Sequence, residues 1–399
     1  MAAARHYHEA VMSVMEGFPP PLEKRVSLDN WDTPPFSRWS FQNIRRVLPT
    51  AAVRRGEGPV SVLQAAAGDL SGVSFETAEG GISTIAAFLD ETYSDGFLVL
   101  HQGRVVVEQY FNGMTPDSLH LAQSVTKSVV GTVAGILIQR GDLDANAPLA
   151  DIIPELAGTG YGDATTNHIL SMISGIRFTE EYGLEESDIS TWEKIAGWRP
   201  RPQPDDLPAS IYEWIPQLPK ARPHGGDFQY RSIETDCLGW VLERVSGLGL
   251  ADLLSRELWA PMGAEYDANI TVCRNSGFVA ASGGLSAGLR DYGRIGQLYL
   301  DGGRGIVSPE WIEDCLIGDT ERFVGDYRLQ YPNGAYKNTW WIPDVSRRVM
   351  AARGVCGQLI YVDFEHEMVI VKLSTWPDFT NPGRSIFTAR ACQAMAESL

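Results

Sequence analysis

Cysteine is scarce in this chain: five residues (Cys237, Cys273, Cys315, Cys356 and Cys392), an odd number with no C-x-x-C spacing. That excludes a disulfide framework and a zinc knuckle, and it fits reduced thiols in a cytoplasm. Cations are few as well, 33 Lys and Arg against 50 Asp and Glu, and the net charge of -17 repels nucleic acid and anionic membranes. A long hydrophobic run is also lacking. The longest apolar stretch, Ser128 to Ile138, is too short to span a bilayer and reads as a buried helix. Arg5, Glu9 and Glu16 fall where a secretory leader needs unbroken apolar chain, so a cytoplasmic location is the expectation. Internal repeats and low-complexity tracts are absent. What is present is 399 residues, 44% hydrophobic, with 40 Gly and 23 Pro, the composition of a globular protein with one large or two ordinary cores.

Residues 18–60 mix Pro19, Pro20, Pro21, Pro34, Pro35 and Pro49 with Trp31, Trp39 and Phe41, a pattern of irregular chain pinned to a surface by aromatics. A helix is expected to begin within Glu79 to Asp90. Phe97 to Phe111 holds two β-prone apolar runs separated by His101-Gln102-Gly103-Arg104, which is a hairpin signature. Leu121 to Arg140 reads as a long helix ended by Gly141. From Asp142 to about Gly283 helix-like and loop signals dominate, with no sustained strand alternation and a helix expected over Asp236 to Gly247. Leu289 to Asp301 reads as a helix, Gln358 to Phe364 and Met368 to Ser374 as adjacent strands, and Arg384 to Ser398 as a final helix. Strands early and late around a helical middle predict an α/β fold. Residues 1–141 and 284–399 would form the sheet domain, and 142–283 a helical insertion.

Ser124-Val125-Thr126-Lys127 is the one S-x-x-K in the chain, and it sits where loop pattern gives way to the long apolar helix. Residues i and i+3 share a helix face, so the Lys127 amine can reach the Ser124 hydroxyl. A lysine whose pKa is lowered by burial can serve as the base that activates a serine. A capping serine followed by an ordinary helical lysine would have the same spacing. Lys127, however, stands beside a buried helix face, where a charge is costly unless it is used. Tyr230, in Phe228-Gln229-Tyr230-Arg231-Ser232, is placed to relay a proton, or simply to pack at a helix start. Arg353-Gly354-Val355-Cys356-Gly357-Gln358 precedes a β-rich run. Glycine-flanked backbone there can aim an amide at an oxyanion, or can be a plain turn.

An S-x-x-K, then a Y-x-S, then a glycine-bearing strand together resemble the penicillin-recognising serine hydrolases, the superfamily of β-lactamases, DD-peptidases and class C-like esterases. The resemblance extends over nearly the whole chain to the 6-aminohexanoate-dimer hydrolases, the nylon-oligomer amidases of that superfamily. The matching pieces include Trp39-Ser40-Phe41, Pro154 to Gly158, Ala196-Gly197-Trp198-Arg199, Gly283-Gly284, Trp340-Trp341 and Val371 to Asp378. It implies a β-lactamase/DD-peptidase-like fold, a largely antiparallel sheet flanked by helices, with the site in the cleft beside the helical region. It also implies Ser124 as nucleophile, Lys127 as base and Tyr230 as proton donor, with the Ser124 and Val355 amides as oxyanion hole. Tyr182 falls where the amidases place a mobile-loop tyrosine, Glu193 where an aspartate binds the substrate amine, and Trp198 and Trp341 where aromatics line the cleft. The rest of the run Glu180, Glu181, Glu185, Glu186 and Asp188 reads as a solvated face.

Departures from the pattern are visible. Ser232 stands where β-lactamases carry Asn, and Ala352-Arg353-Gly354 where they carry Lys-Thr-Gly. Cys356 and Ser385 stand where the amidases carry His. The expectation is an acyl-serine hydrolase of short linear amides or esters that uses no metal or cofactor and binds a small molecule. It would have no nucleic-acid or membrane partner, and a homodimer is left open. A carboxylesterase on the same site and a non-catalytic binding protein on the same fold are the alternatives.

Overall fold

A computed structural model describes residues 14–66 and 68–399. The leader reading at Arg5 and Glu9 lies outside the described residues. Fourteen strands follow in chain order: β1 Thr50–Val53, β2 Gln64–Ala65, β3 Ser74–Glu76, β4 Ile82–Thr84, β5 Ser94–His101, β6 Arg104–Tyr110, β7 Leu119–Leu121, β8 Ala268–Thr271, β9 Leu285–Gly288, β10 Ala335–Lys337, β11 Trp340–Ile342, β12 Val349–Gly354, β13 Gln358–Asp363 and β14 Met368–Ser374. Eight form the main sheet in the order β10-β11-β12-β13-β14-β5-β6-β2. Every pairing in it is antiparallel except β2 with β6. Both ends of the chain therefore supply this sheet, and the expected α/β architecture of a largely antiparallel sheet flanked by helices is what is found.

The central strands are apolar throughout because both sheet faces are covered. Leu98, Leu100, Ile360, Val362, Val369 and Val371 point into one core, under the helix Leu289–Leu300. Phe97, Val99, Leu359, Tyr361, Met368 and Ile370 point into a second, closed by Phe75, Phe88, Phe387 and Met395 from the helices Ile85–Glu91 and Pro382–Ser398 and from β3. The pleat alternates residue by residue, so each strand feeds both cores. A smaller antiparallel sheet, ordered β1-β8-β9-β7, stands beside the start of the helix Val125–Arg140.

Several sequence boundaries move. The long helix begins at Val125 rather than Leu121, because Leu119–Leu121 pairs with β9 as β7. A buried strand and a buried helix both read as apolar run, so pattern cannot divide them. Similarly, Ile82–Thr84 is strand, and the next helix starts only at Ile85, where the Thr84 hydroxyl caps Ala87 N–H. The middle region holds β8, whose four residues are all buried and so show no alternation. Within the 18–60 wrap, Thr50–Val53 is the partner of β8. The helix expected from Asp236 begins four residues earlier, at Ser232. Its first turn is polar yet buried, since Ser232, Glu234 and Asp236 face other polar groups rather than water.

Candidate active site

The turn that delivers Ser124 is conformationally unusual. Gln123 has φ 49°, a left-handed conformation that a non-glycine residue adopts only when its surroundings hold it there. Ser124 then occupies the N-cap of Val125–Arg140 without using its side chain as a cap, so Oγ is left for other partners. Lys127, one turn on and buried, donates from Nζ to Ser124 Oγ at 2.8 Å and to the Ser282 carbonyl at 2.6 Å. Burial lowers its pKa to about 8, against upward pulls from Glu180 and Asp236. Tyr230 completes the group. It shares the cavity wall with Ser124, its ring lies 5.1 Å from the Lys127 ammonium, and burial keeps its phenol well above the usual range and therefore protonated.

β12 closes the other side. Gly354 passes so close to the serine turn that a Cβ there would lie 2.5 Å from the Ala122 carbonyl oxygen and 3.0 Å from Ser124 N. Only glycine permits that approach, and the next residue, Val355, lines the same cavity as Ser124. Neither the Ser124 nor the Val355 amide donates to a backbone oxygen among the described residues. Two free amides beside a nucleophilic oxygen are what a developing oxyanion requires. The turn is pinned by Cys356, at φ 60°, whose amide donates to Phe379 O at 2.9 Å and whose carbonyl accepts from Trp376 N at 3.1 Å.

Ser124, Tyr182, Tyr230, Trp341 and Val355 line one cavity of about 810 Å³, with Lys127 beneath Ser124. Tyr182 is half-buried, stacked on Phe379 at 5.5 Å. Trp341 stacks on Tyr230 at 5.5 Å. Glu193 and Trp198 are not in this lining. The Glu193 carboxylate is paired with Arg199 at 3.4 Å, and Arg199 also binds the buried Asp32. Burial raises the Glu193 pKa to about 7, with Arg199 opposing. Trp198 is packed edge-on between Trp31 and Trp192 at 5.3 and 5.0 Å, and its indole N–H donates to Thr271 Oγ1 at 3.3 Å.

Three residues that pattern did not single out as site residues belong here. Glu180, read as part of a solvated face, lines the cavity and accepts from Ser232 N at 2.5 Å, Ser232 Oγ at 2.7 Å and Tyr182 Oη at 2.7 Å. The legible signal was the Y-x-S itself, whose buried serine needs an acceptor. Asp236 is buried near Lys127, accepting from Trp192 Nε1 at 2.7 Å and Ser282 N at 3.1 Å, and burial raises its pKa. Arg353 also lines the cavity. Among the described residues, no group of His, Cys, Asp and Glu is arranged to hold a metal ion, and no helix is long and apolar enough to cross a membrane.

The chain is 37% identical over 358 residues, 88% of each chain, to the 6-aminohexanoate-dimer hydrolase of Paenarthrobacter ureafaciens. It is 30% identical over 173 residues, 42% of this chain and 40% of the other, to esterase EstB of Burkholderia gladioli. A solved structure of a Bacillus anthracis protein, described as a 6-aminohexanoate-dimer hydrolase, superposes with TM-score 0.85 at 26% identity, covering 94% of this chain and 97% of that one. The profile of the family described as Beta-lactamase matches residues 82–395, a span that holds the serine turn, the Y-x-S and the strand of Val355, and this chain belongs to that family of serine hydrolases.

Proposed function

We propose that the chain hydrolyses short linear amides, with Ser124 as the acylated nucleophile, Lys127 as its base and Tyr230 as the proton donor to the leaving amine. The observation that carries this is the buried Lys127 amine 2.8 Å from a serine hydroxyl, with the Tyr230 ring 5.1 Å from that amine and lining the same cavity as Ser124. Neutral Lys127 takes the Ser124 proton as Oγ attacks the carbonyl carbon, and the oxyanion sits between the Ser124 and Val355 amides. Tyr230 protonates the departing nitrogen, and the proton held by Lys127 returns to it. Water then cleaves the acyl-serine ester by the same steps in reverse, releasing acid and free serine. The Paenarthrobacter relative's name specifies a dimer of an ω-amino acid, and a cavity walled by Tyr182, Tyr230 and Trp341 suits such an aliphatic chain.

Esters are the second reading, supported by the partial match to an esterase. They need less help at the leaving group and use the same nucleophile. Mass spectrometry after brief exposure to p-nitrophenyl butyrate is expected to find a butyryl group on Ser124 that decays with turnover, and Ser124→Ala is expected to fold but lose both adduct and activity. Retained turnover in folded Ser124→Ala protein would overturn the assignment. The ratio of kcat/KM on a matched amide and ester then decides between the two readings.

A further inference from the structure

We infer that Arg353 is a substrate anchor, holding a carboxylate on the leaving-group side of the scissile bond. The inference rests on the acyl-serine reading above and extends it to the substrate's far end.

Arg353 stands on β12, two residues before Val355, and lines the same cavity as Ser124. Its guanidinium carbon lies 5.4 Å from the Tyr331 ring centroid and 5.6 Å from that of Trp341. These cation–π contacts are not hydrogen bonds, and they leave its N–H donors available. Among the described residues its side chain makes no ion pair and no hydrogen bond; the groups that influence its charge are Tyr230 and Cys392. Of the acids lining the same cavity, Glu180 is engaged by Ser232 and Tyr182 and Asp344 by the Ser346 amide and hydroxyl of its own turn, while Glu181 is exposed to solvent.

An arginine with a structural task looks different in this same chain. Arg231 gives hydrogen bonds to the carbonyls of Ile176 at 2.6 Å and Ser174 at 2.8 Å and pairs with Glu234 at 3.2 Å. Arg353, half-buried in the cavity wall, has none of these, and its charge faces the cavity without a protein partner among the described residues. Its fork matches a carboxylate bidentately. Its side is fixed by Trp341, which stacks on Tyr230 at 5.5 Å and has the guanidinium carbon 5.6 Å from its ring centroid. Tyr230 serves the leaving nitrogen, so the arm attached to that nitrogen is the one that passes Arg353. A linear dimer of an ω-amino acid carries its carboxylate at the end of that arm.

The test uses the intact chain and two amides that differ only at that end, 6-acetamidohexanoate and 6-acetamidohexanamide. The carboxylate is expected to be favoured in kcat/KM by about ten- to a hundredfold, the range of one charged hydrogen-bonded pair, with the difference carried by KM. Arg353→Gln should bring the ratio close to one, and Arg353→Lys, which keeps the charge without the fork, should restore part of it. A ratio near one in the unaltered chain, or a preference that survives Arg353→Gln, overturns the inference. If neither amide is cleaved, the amidase reading fails, and the anchor is read separately from competition against p-nitrophenyl acetate. Hexanoate inhibiting more tightly than hexanamide, and losing that advantage in Arg353→Gln, supports the anchor; equal inhibition overturns it. Should Arg353→Gln not fold, the preference of the unaltered chain and its partial loss in Arg353→Lys support the anchor, and an undiminished preference in Arg353→Lys overturns the bidentate fork.

Discussion

A lysine in water at neutral pH is a cation and cannot accept a proton, so the chemistry at Ser124 depends on what the fold does to Lys127. Burial lowers its pKa to about 8, while Glu180 and Asp236 pull it upward. Only the neutral form is a base, so acylation should rise as pH climbs through about 8 and level off above it. A stopped-flow series of acylation rate against pH reads this directly. Lys127→Arg should be flat over that range and slower by at least about a hundredfold, since arginine does not deprotonate. Tyr230 is held protonated by burial and, in the proposed reaction, is the donor to the amine leaving group. Tyr230→Phe should accordingly cost an amide about a hundredfold or more, and a p-nitrophenyl ester distinctly less. Equal losses on the two would remove Tyr230 from the proton path.

At the next scale the helix Val125–Arg140 has every residue from Val125 to Leu137 buried, so it has no solvent face in its first three turns. Its glycines are there for close approach. A Cβ on Gly131 would stand 2.0 Å from Thr339 Oγ1, and one on Gly135 would stand 2.2 Å from the Trp311 ring. Helix propensity taken alone favours alanine over glycine by about 1 kcal/mol. Here the rigid indole decides the sign, and Gly135→Ala is expected to destabilise by about 1 to 3 kcal/mol through overpacking. Urea unfolding measures it; a stabilised variant would mean that Trp311 can move aside at little cost.

On the scale of the molecule, the proline-rich wrap is joined to the active-site wall by aromatic contacts. Trp31 is fully buried and donates from its indole nitrogen to the Trp198 carbonyl at 2.8 Å. Trp198 packs on Trp192, whose indole holds Asp236 near Lys127. The wrap is thus part of the core. Trp31→Ala should cost about 3 to 5 kcal/mol, the range for a large buried aromatic. A shift of less than about 1 kcal/mol in the unfolding free energy would show the wrap to be dispensable.

The sequence by itself determined what local geometry controls. The Ser124 to Lys127 spacing, the Gly141 helix end at φ 80°, the hairpin around Gly103 and the terminal strands depend on neighbours a few residues away, and their pattern is written in consecutive letters. The order of the three motifs also carried the resemblance, and through it Tyr182 and Trp341. Only the tertiary structure decided which charges meet. Glu180 finds Ser232 across 52 residues, and Arg199 reaches Asp32 across 167, so Glu180 of an exposed-looking run is tied into the cavity wall while Glu193 stays paired outside its lining. Arg353 was visible as a departure from Lys-Thr-Gly, but that no carboxylate among the described residues meets it is a fact of three-dimensional packing. Electrostatic partners are chosen by distance in space, and no periodicity records that distance along the chain.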